Sequence, residues 1–166
     1  MPLLSQASSE KMSSNRPMSA YLNQAIEIAR LSSLDPRFEG LVEAGLEECE
    51  GVIVFRRNLQ RNIHLLKPDD PTDSEAAINE VPLDYSFQGR DWAIKCVSQG
   101  ILLAREVLAA SRRLTAATVE TVIAVNKGGA DHLPSSTFRF YCLRAGDRWL
   151  ADDIELYDEA ILTIQS

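Results

Sequence analysis

The sequence predicts an α+β fold, with N-terminal helices packed on a C-terminal antiparallel β meander around a single core. Two patterns carry this expectation. Apolar residues recur at helical intervals through three long stretches up to residue 114, whereas β-branched and aromatic residues crowd together or alternate after it. Size agrees with them, because 166 residues with 45% hydrophobic and 25% charged side chains suffice for one ordinary folded domain. The expected organisation is a disordered polar tail over residues 1–16 and a single α+β domain over 17–166.

The first stretch, Pro17 to Ser32, places Met18, Tyr21, Leu22, Ala25, Ile26 and Ala29 on one helical face, with Pro17 suited to a first turn. A second helix opens at Asp35-Pro36, an N-cap followed by a proline that needs no N–H partner. Its seam runs Phe38, Leu41, Val42, Gly45, Leu46 and Cys49, with Glu39, Glu43, Glu47 and Glu48 facing water. From Gly51 to Leu66 two readings stand. The β-branched run "GVIVF" suggests a strand, with "RNIHLL" as hairpin partner across "RRNLQ", while Val52, Phe55, Leu59, Ile63 and Leu66 also fit a helical stripe. Strands are the preferred reading.

"KPDDPTDSEAAINEVPLD", rich in proline and acid, predicts a connecting loop with one helical turn at Ser74 to Asn79. The segment Asp91 to Leu114 is the strongest helix, with Trp92, Ala93, Cys96, Ile101, Leu103, Ala104, Val107 and Leu108 in a stripe interrupted at Gly100. Beyond it, Thr118 to Gly129, Ser136 to Asp152 and Ala160 to Ser166 read as strands, with "RAGDR" supplying a hairpin turn.

Charge and cysteine usage narrow the function. A formal charge of −7 disfavours nucleic acid, which needs a basic face, and no apolar run approaches the roughly 20 residues that span a bilayer. The N-terminal stretch lacks the order of a secretory signal, and Cys49, Cys96 and Cys142 lie too far apart for metal pairs or a disulfide framework. A reduced cytoplasmic location is expected.

The C-terminal quarter, with Gly146, Asp147, Trp149, Asp153 and Ile154 in "GDRWLADDIEL", resembles the nuclear-transport-factor-like cone-shaped α+β fold. In that fold a final strand often carries a Gly/Asp turn, a tryptophan, and an Asp before an apolar position. The resemblance implies no single activity, since such folds host enzymes, binding modules and immunity proteins alike.

Chemical motifs are sparse. Asp131 and His132 are adjacent, so with Ser135 or Ser136 they do not form a triad, and His64 sits in an apolar segment. The glycines of "NKGGAD" follow a strand rather than precede a helix, which suits a flexible connection better than a phosphate loop. The cysteines read as small core residues, and Arg56, Arg57 and Arg61, with Lys67, as a solvated basic face. No catalytic residue, metal ligand or cofactor is assigned.

What remains is the dense acidic stretch from Asp147 to Glu159. It lacks the histidine or calcium-loop spacing of a metal site. With Leu150, Ile154 and Leu156 turned inward, its carboxylates project as a negative patch, and Trp149, Tyr141 and Tyr157 are expected as aromatic anchors amid them. The candidate partner-binding residues are Tyr141, Asp147, Trp149, Asp152, Asp153, Glu155, Tyr157, Asp158 and Glu159. They point to a non-enzymatic protein-binding module, an acidic inhibitor or immunity protein for a basic partner such as a toxin or nuclease. The alternatives are a small cone-fold hydrolase or isomerase using Asp153 or Glu155 as general base, and a homo-oligomer with the Asp91 to Leu114 helix as seam.

Overall fold

A computed structural model describes residues 10–84, 89 and 91–166. It has the α+β class the sequence predicts. Strands β1 (Lys11–Ser14), β4 (Val81–Pro82), β5 (Val119–Asn126), β6 (Ser135–Cys142) and β7 (Ala160–Gln165) form an antiparallel sheet in the order β1-β7-β5-β6-β4. A separate hairpin pairs β2 (Leu46–Cys49) with β3 (Val52–Phe55). The helices are α1 (Leu22–Leu31), α2 (Pro36–Ala44), α3 (Arg56–Asn62), α4 (Pro71–Ile78) and α5 (Trp92–Ser111).

Helix α5 is the spine of the main core. Its residues Ile101, Ala104 and Leu108 share one apolar cluster with Val119, Ile123 and Val125 of β5, Phe138 and Phe140 of β6, and Leu162 and Ile164 of β7. Gly100 explains the break in the α5 stripe, since a Cβ there would lie 2.8 Å from Ile123 Cγ1. The glycine lets helix and sheet approach. Helices α1 and α2 pack on the other side of α5, and the Gln99 side chain fastens their connection. Its Oε1 accepts from Asp35 N at 2.7 Å and its Nε2 donates to Ser33 O at 3.1 Å.

Several expectations need correction. Residues 11–14, placed by composition in a polar tail over 1–16, form edge strand β1 against β7, and polar residues suit an exposed edge. The buried Asn15 follows it; residues 1–9 lie outside the described residues. The second helix stops at Ala44 rather than running through Cys49. Gly45 has φ of +80°, and Glu50 and Gly51, with φ of 51° and 82°, make the left-handed two-residue loop that a twisted hairpin requires. Leu46 and Cys49 are thus strand residues.

The segment 51–66 contains both expected elements but not the expected hairpin. Strand β3 pairs backwards with β2, and "RRNLQRN" is helix α3, followed by a 3-10 turn at Ile63–Leu65. Finally, β6 ends at Cys142. Instead of a return strand across "RAGDR", a single bridge joins Arg144 to Asp147, and residues 143–159 cross the sheet as an irregular strap. The residues of "GDRWLADDI" therefore lie on the strap, not on a strand.

The region expected to be a loop with one helical turn is a full helix, α4, capped by Asp70, which accepts from Asp73 N. Its buried Glu75 and Asn79 lie one turn apart, about 6 Å along a helix, close to the rise of two strand residues. That match lets them act as a ladder for β3, accepting from Ile53 N at 2.8 Å and Phe55 N at 2.9 Å respectively. Asn79 also donates to Ile53 O at 2.8 Å and to Phe140 O at 3.2 Å, and Glu75 accepts from Cys142 N at 2.8 Å. Two side chains thus stitch the hairpin to the large sheet, and Phe55 meets Phe140 edge to face at 5.0 Å beside the seam.

Replacing Gly100 with Ala should lower stability by about 1–3 kcal/mol despite the better helix propensity, because the added methyl pushes α5 off Ile123. Urea unfolding followed by circular dichroism measures this, and an unchanged or raised midpoint would contradict the close helix–sheet packing.

Candidate functional site

Side chains alternate across the sheet, so Glu120, Val122, Tyr141 and Ile161 point away from α5. The strap covers this second face. Leu150 is buried against Val122, Tyr141 and Ile161, with Trp149, Ile154 and Tyr157 packed at the edge of the same cluster. The Trp149 ring lies 4.7 Å from the Arg139 guanidinium and 6.4 Å from the Tyr141 ring.

Two ion pairs hold the strap down. Arg144 donates to both oxygens of Glu75, at 2.8 and 3.1 Å, and Arg148 donates through Nε and Nη2 to both oxygens of Glu120, each at 2.9 Å. Both glutamate side chains are wholly buried. Each accepts from four donors: Glu75 from the two arginine nitrogens, Ile53 N and Cys142 N, and Glu120 from the two arginine nitrogens, Tyr141 OH and Gln165 Nε2. A carboxylate offers about four acceptor positions, so no site remains for a substrate proton.

Electrostatics follow from this geometry. Burial alone would raise the Glu120 pKa, but hydrogen bonds from Arg148, Tyr141 and Gln165 together outweigh it and hold the group below the ordinary carboxylate range. Burial and the Glu120 charge push the Tyr141 phenol up. Burial pushes the Cys96 and Cys142 thiols up to about 12, so both are protonated at neutral pH and serve as core residues. Cys49 is half-buried.

The nine expected contact residues divide sharply. Tyr141 is corrected outright: it is fully buried, donates to Glu120, and presents nothing to a partner. Trp149 and Tyr157 are half-buried, and the Tyr157 hydroxyl accepts from Ala151 N at 3.0 Å. Asp147, Asp152, Asp153, Glu155 and Asp158 are exposed, and Glu159 is half-exposed. Several of these acids also shape the strap. Asp147 accepts from Thr72 at 2.6 Å, Asp153 caps a 3-10 turn at Ile154–Leu156 by accepting from Glu155 N, Glu155 accepts from Arg16 N, and Glu159 accepts from Asn126 at 3.1 Å. The Asp152 and Asp158 carboxylates carry no hydrogen bond among the described residues.

The expected inward turn of Leu156 is also corrected. Ile154 packs toward the sheet and Leu150 is 4% exposed, but Leu156 stands 74% exposed. The tight 3-10 turn puts neighbouring apolar residues on different sides of the strap. Beside Leu156 runs a groove of about 650 Å³ lined by Pro17, Val125, Lys127, His132, Asp158 and Glu159 among others.

Sequence reasoning missed Asn15, which locks the strap's far end. Its amide donates to Glu159 O at 2.7 Å and Ile154 O at 3.3 Å, and its carbonyl accepts from Ile161 N at 2.8 Å. One asparagine in a polar stretch carries no signal of that role. Arg144 and Arg148 were visible as the two cations flanking the Gly146 turn, but their buried partners were not.

A family model described as "Uncharacterized protein PM0498 family" matches residues 13–166. The chain belongs to that family. No curated protein and no solved structure matches it. The matched span begins inside β1 and includes Asn15, both glutamate–arginine pairs and the entire strap.

Elsewhere the chemistry is thin. His64 and His132 are exposed, and Ser136 is buried and donates to Ala124 O. In the β5–β6 turn, Gly128 N donates to Asn126 Oδ1 and Gly129 N to His132 O, so both glycine amides are engaged within the turn. Exposed Arg56 pairs with Glu47 at 3.4 Å. Among the described residues no group of three or more His, Cys, Asp or Glu side chains is placed to hold a metal ion, and no helix is long and apolar enough to cross a membrane.

Replacing Arg148 with Met should cost about 3 kcal/mol at neutral pH by leaving Glu120 buried without its cation, the modest end of the range because Arg148 keeps 23% exposure. Because the folded-state pKa of Glu120 is depressed, its contribution is fully present above the unfolded value of about 4.3 and is lost as pH falls below that toward the depressed value. Urea midpoints for wild type and Glu120→Gln across this interval check the sign. The gap between them should narrow on acidification, and a constant gap would contradict the assignment.

Proposed function

We propose that this chain is a cytoplasmic, non-enzymatic protein-binding module whose strap meets a basic partner, as an inhibitor or immunity protein would meet a toxin or nuclease. One observation carries the reading: the strap sends Arg144 and Arg148 to buried glutamates while Asp152, Asp153, Glu155 and Asp158 stay in water. The strap bearing these charges is held by Asn15 at the Glu159 carbonyl, by Thr72 at the Asp147 carboxylate and by the Asp153 cap. Fixed surface charge of one sign steers an oppositely charged protein and loses little entropy when it arrives. The overall charge of −7 works in the same direction.

The other expectations find less support. A hydrolase or isomerase of the cone-shaped class needs a desolvated carboxylate base, whereas Asp153 and Glu155 are exposed and bonded to backbone N–H groups. A homo-oligomer through α5 needs an apolar outer face. That helix instead spends its stripe on its own core, leaving Lys95, Arg105, Glu106 and Ala109 outside.

Affinity capture from native cytosol at low and moderate salt, with mass spectrometry of the eluate, tests the reading. Wild type should retain a stoichiometric basic protein, and the Asp152→Asn, Asp153→Asn, Asp158→Asn triple variant should bind it about tenfold more weakly, mainly through slower association. Asparagine preserves the cap, so folding is unaffected. Recovery of no stoichiometric basic protein, or equal binding by the variant, would overturn it.

A further inference from the structure

Resting on that reading, we infer that the groove between the β5–β6 turn and the end of the strap receives an extended segment of the basic partner, with an apolar side chain against Leu156 and a lysine or arginine at Asp158 and Glu159.

The groove has the right shape and composition for such a segment. Its volume of about 650 Å³ lies within the usual range for ligand sites, and it is an open trough, which suits a chain passing through. Half-buried Pro17 gives it apolar surface, while Val125 and Ala160, which also border it, are almost wholly buried. Leu156, 74% exposed, lines it, and Leu133, 86% exposed, directly follows the lining residue His132. Leu156 stands open at the groove among the charged Lys127, Asp158 and Glu159, and an apolar side chain so placed offers a partner a contact point.

Charge selects the occupant. Lys127 is the lining cation and its ammonium lies 5.5 Å from the Tyr21 ring, while Asp158 and Glu159 supply two carboxylates; one cation against two anions leaves the groove net negative. Glu159 accepts from Asn126 through Oε1 alone, and Asp158 has no hydrogen bond among the described residues. Both can accept from an incoming ammonium or guanidinium. A second copy of this chain, at −7, would be repelled, which favours a basic peptide over self-association. The walls are also pre-set, because Asn15 grips the Ile154 and Glu159 carbonyls and the Asn126 side chain organises the opposing turn.

Titration of the isotope-labelled protein with the amidated tetrapeptide Leu-Lys-Leu-Lys, followed by amide NMR shifts, tests this, with Leu-Glu-Leu-Glu as the charge-reversed comparator. The lysine peptide should give saturable shifts at Asn126, Gly128, Leu156 and Asp158, and the glutamate peptide none. Leu156→Ser and Asp158→Asn should each weaken the effect about fivefold or more without shifting Tm, since both side chains are exposed. Absent shifts, equal shifts with both peptides, or shifts indifferent to both substitutions would overturn the groove assignment. Shifts confined to Asp69–Asp73 and Asp147–Asp153 would also overturn it while leaving the acidic-partner reading intact, which fails separately if no basic protein is captured.

Discussion

Glu75 is the point on which the rest of this architecture turns. Its carboxylate accepts from Ile53 on β3, from Cys142 on β6 and from Arg144 on the strap. Three elements that share no backbone ladder at that place are joined by one buried charge. Without it, β3 would present an unpaired N–H to the interior, and β6 would end beside the strap with an unpaired N–H of its own. Each such group costs about 1–3 kcal/mol when dry. Polar satisfaction here decides topology, because an apolar residue at position 75 could fill the space but could not bridge the two sheets.

Asn79 completes the device one helical turn on, and the near match between helical and strand rise is what makes it work. A helix rarely serves as the neighbour of a strand, since its own backbone is internally bonded. Helix α4 does so with the side chains of Glu75 and Asn79, while its buried Thr72 bonds Asp147 and Arg144 of the strap and its buried Ser74 bonds the Lys67 and Asp70 backbone, alongside the apolar Ala76 and Ile78. Its buried face is therefore polar as well as apolar.

That inversion also explains what was and was not legible in the sequence. Helix α5 could be read from periodicity because its partners are apolar and a stripe is all it needs. Strands β5, β6 and β7 were legible for the same reason. Helix α4 was hidden, although Asp70-Pro71 repeats the cap signal of Asp35-Pro36, because a helix facing polar backbone shows no apolar stripe. The β2–β3 hairpin was masked by glutamates at helical spacing, and only the Glu50-Gly51 pair betrays the turn. The strap was misread as a strand because Trp149, Leu150 and Ile154 look like strand residues; they cover a sheet face without pairing to an edge. Of the candidate site, the exposed acids were legible from composition, while the burial of Tyr141 and the outward Leu156 depend on contacts across the sheet.

The strap's chemistry follows from a sorting of charge by sign. Its two arginines, flanking the Gly146 turn, each find a carboxylate rooted in the core, at Glu75 and Glu120. Burying a charge alone is prohibitive, so these pairs form together or not at all. Once they form, the strap's cations are neutralised on the inner side, and its own aspartates and glutamates are left outside without matching positive charge. The negative surface is thus a consequence of how the strap is anchored, in addition to its acidic composition. A loop with the same residues but free arginines would fold its charges onto one another. Anchoring the cations inward holds the outer field open for a partner to complete.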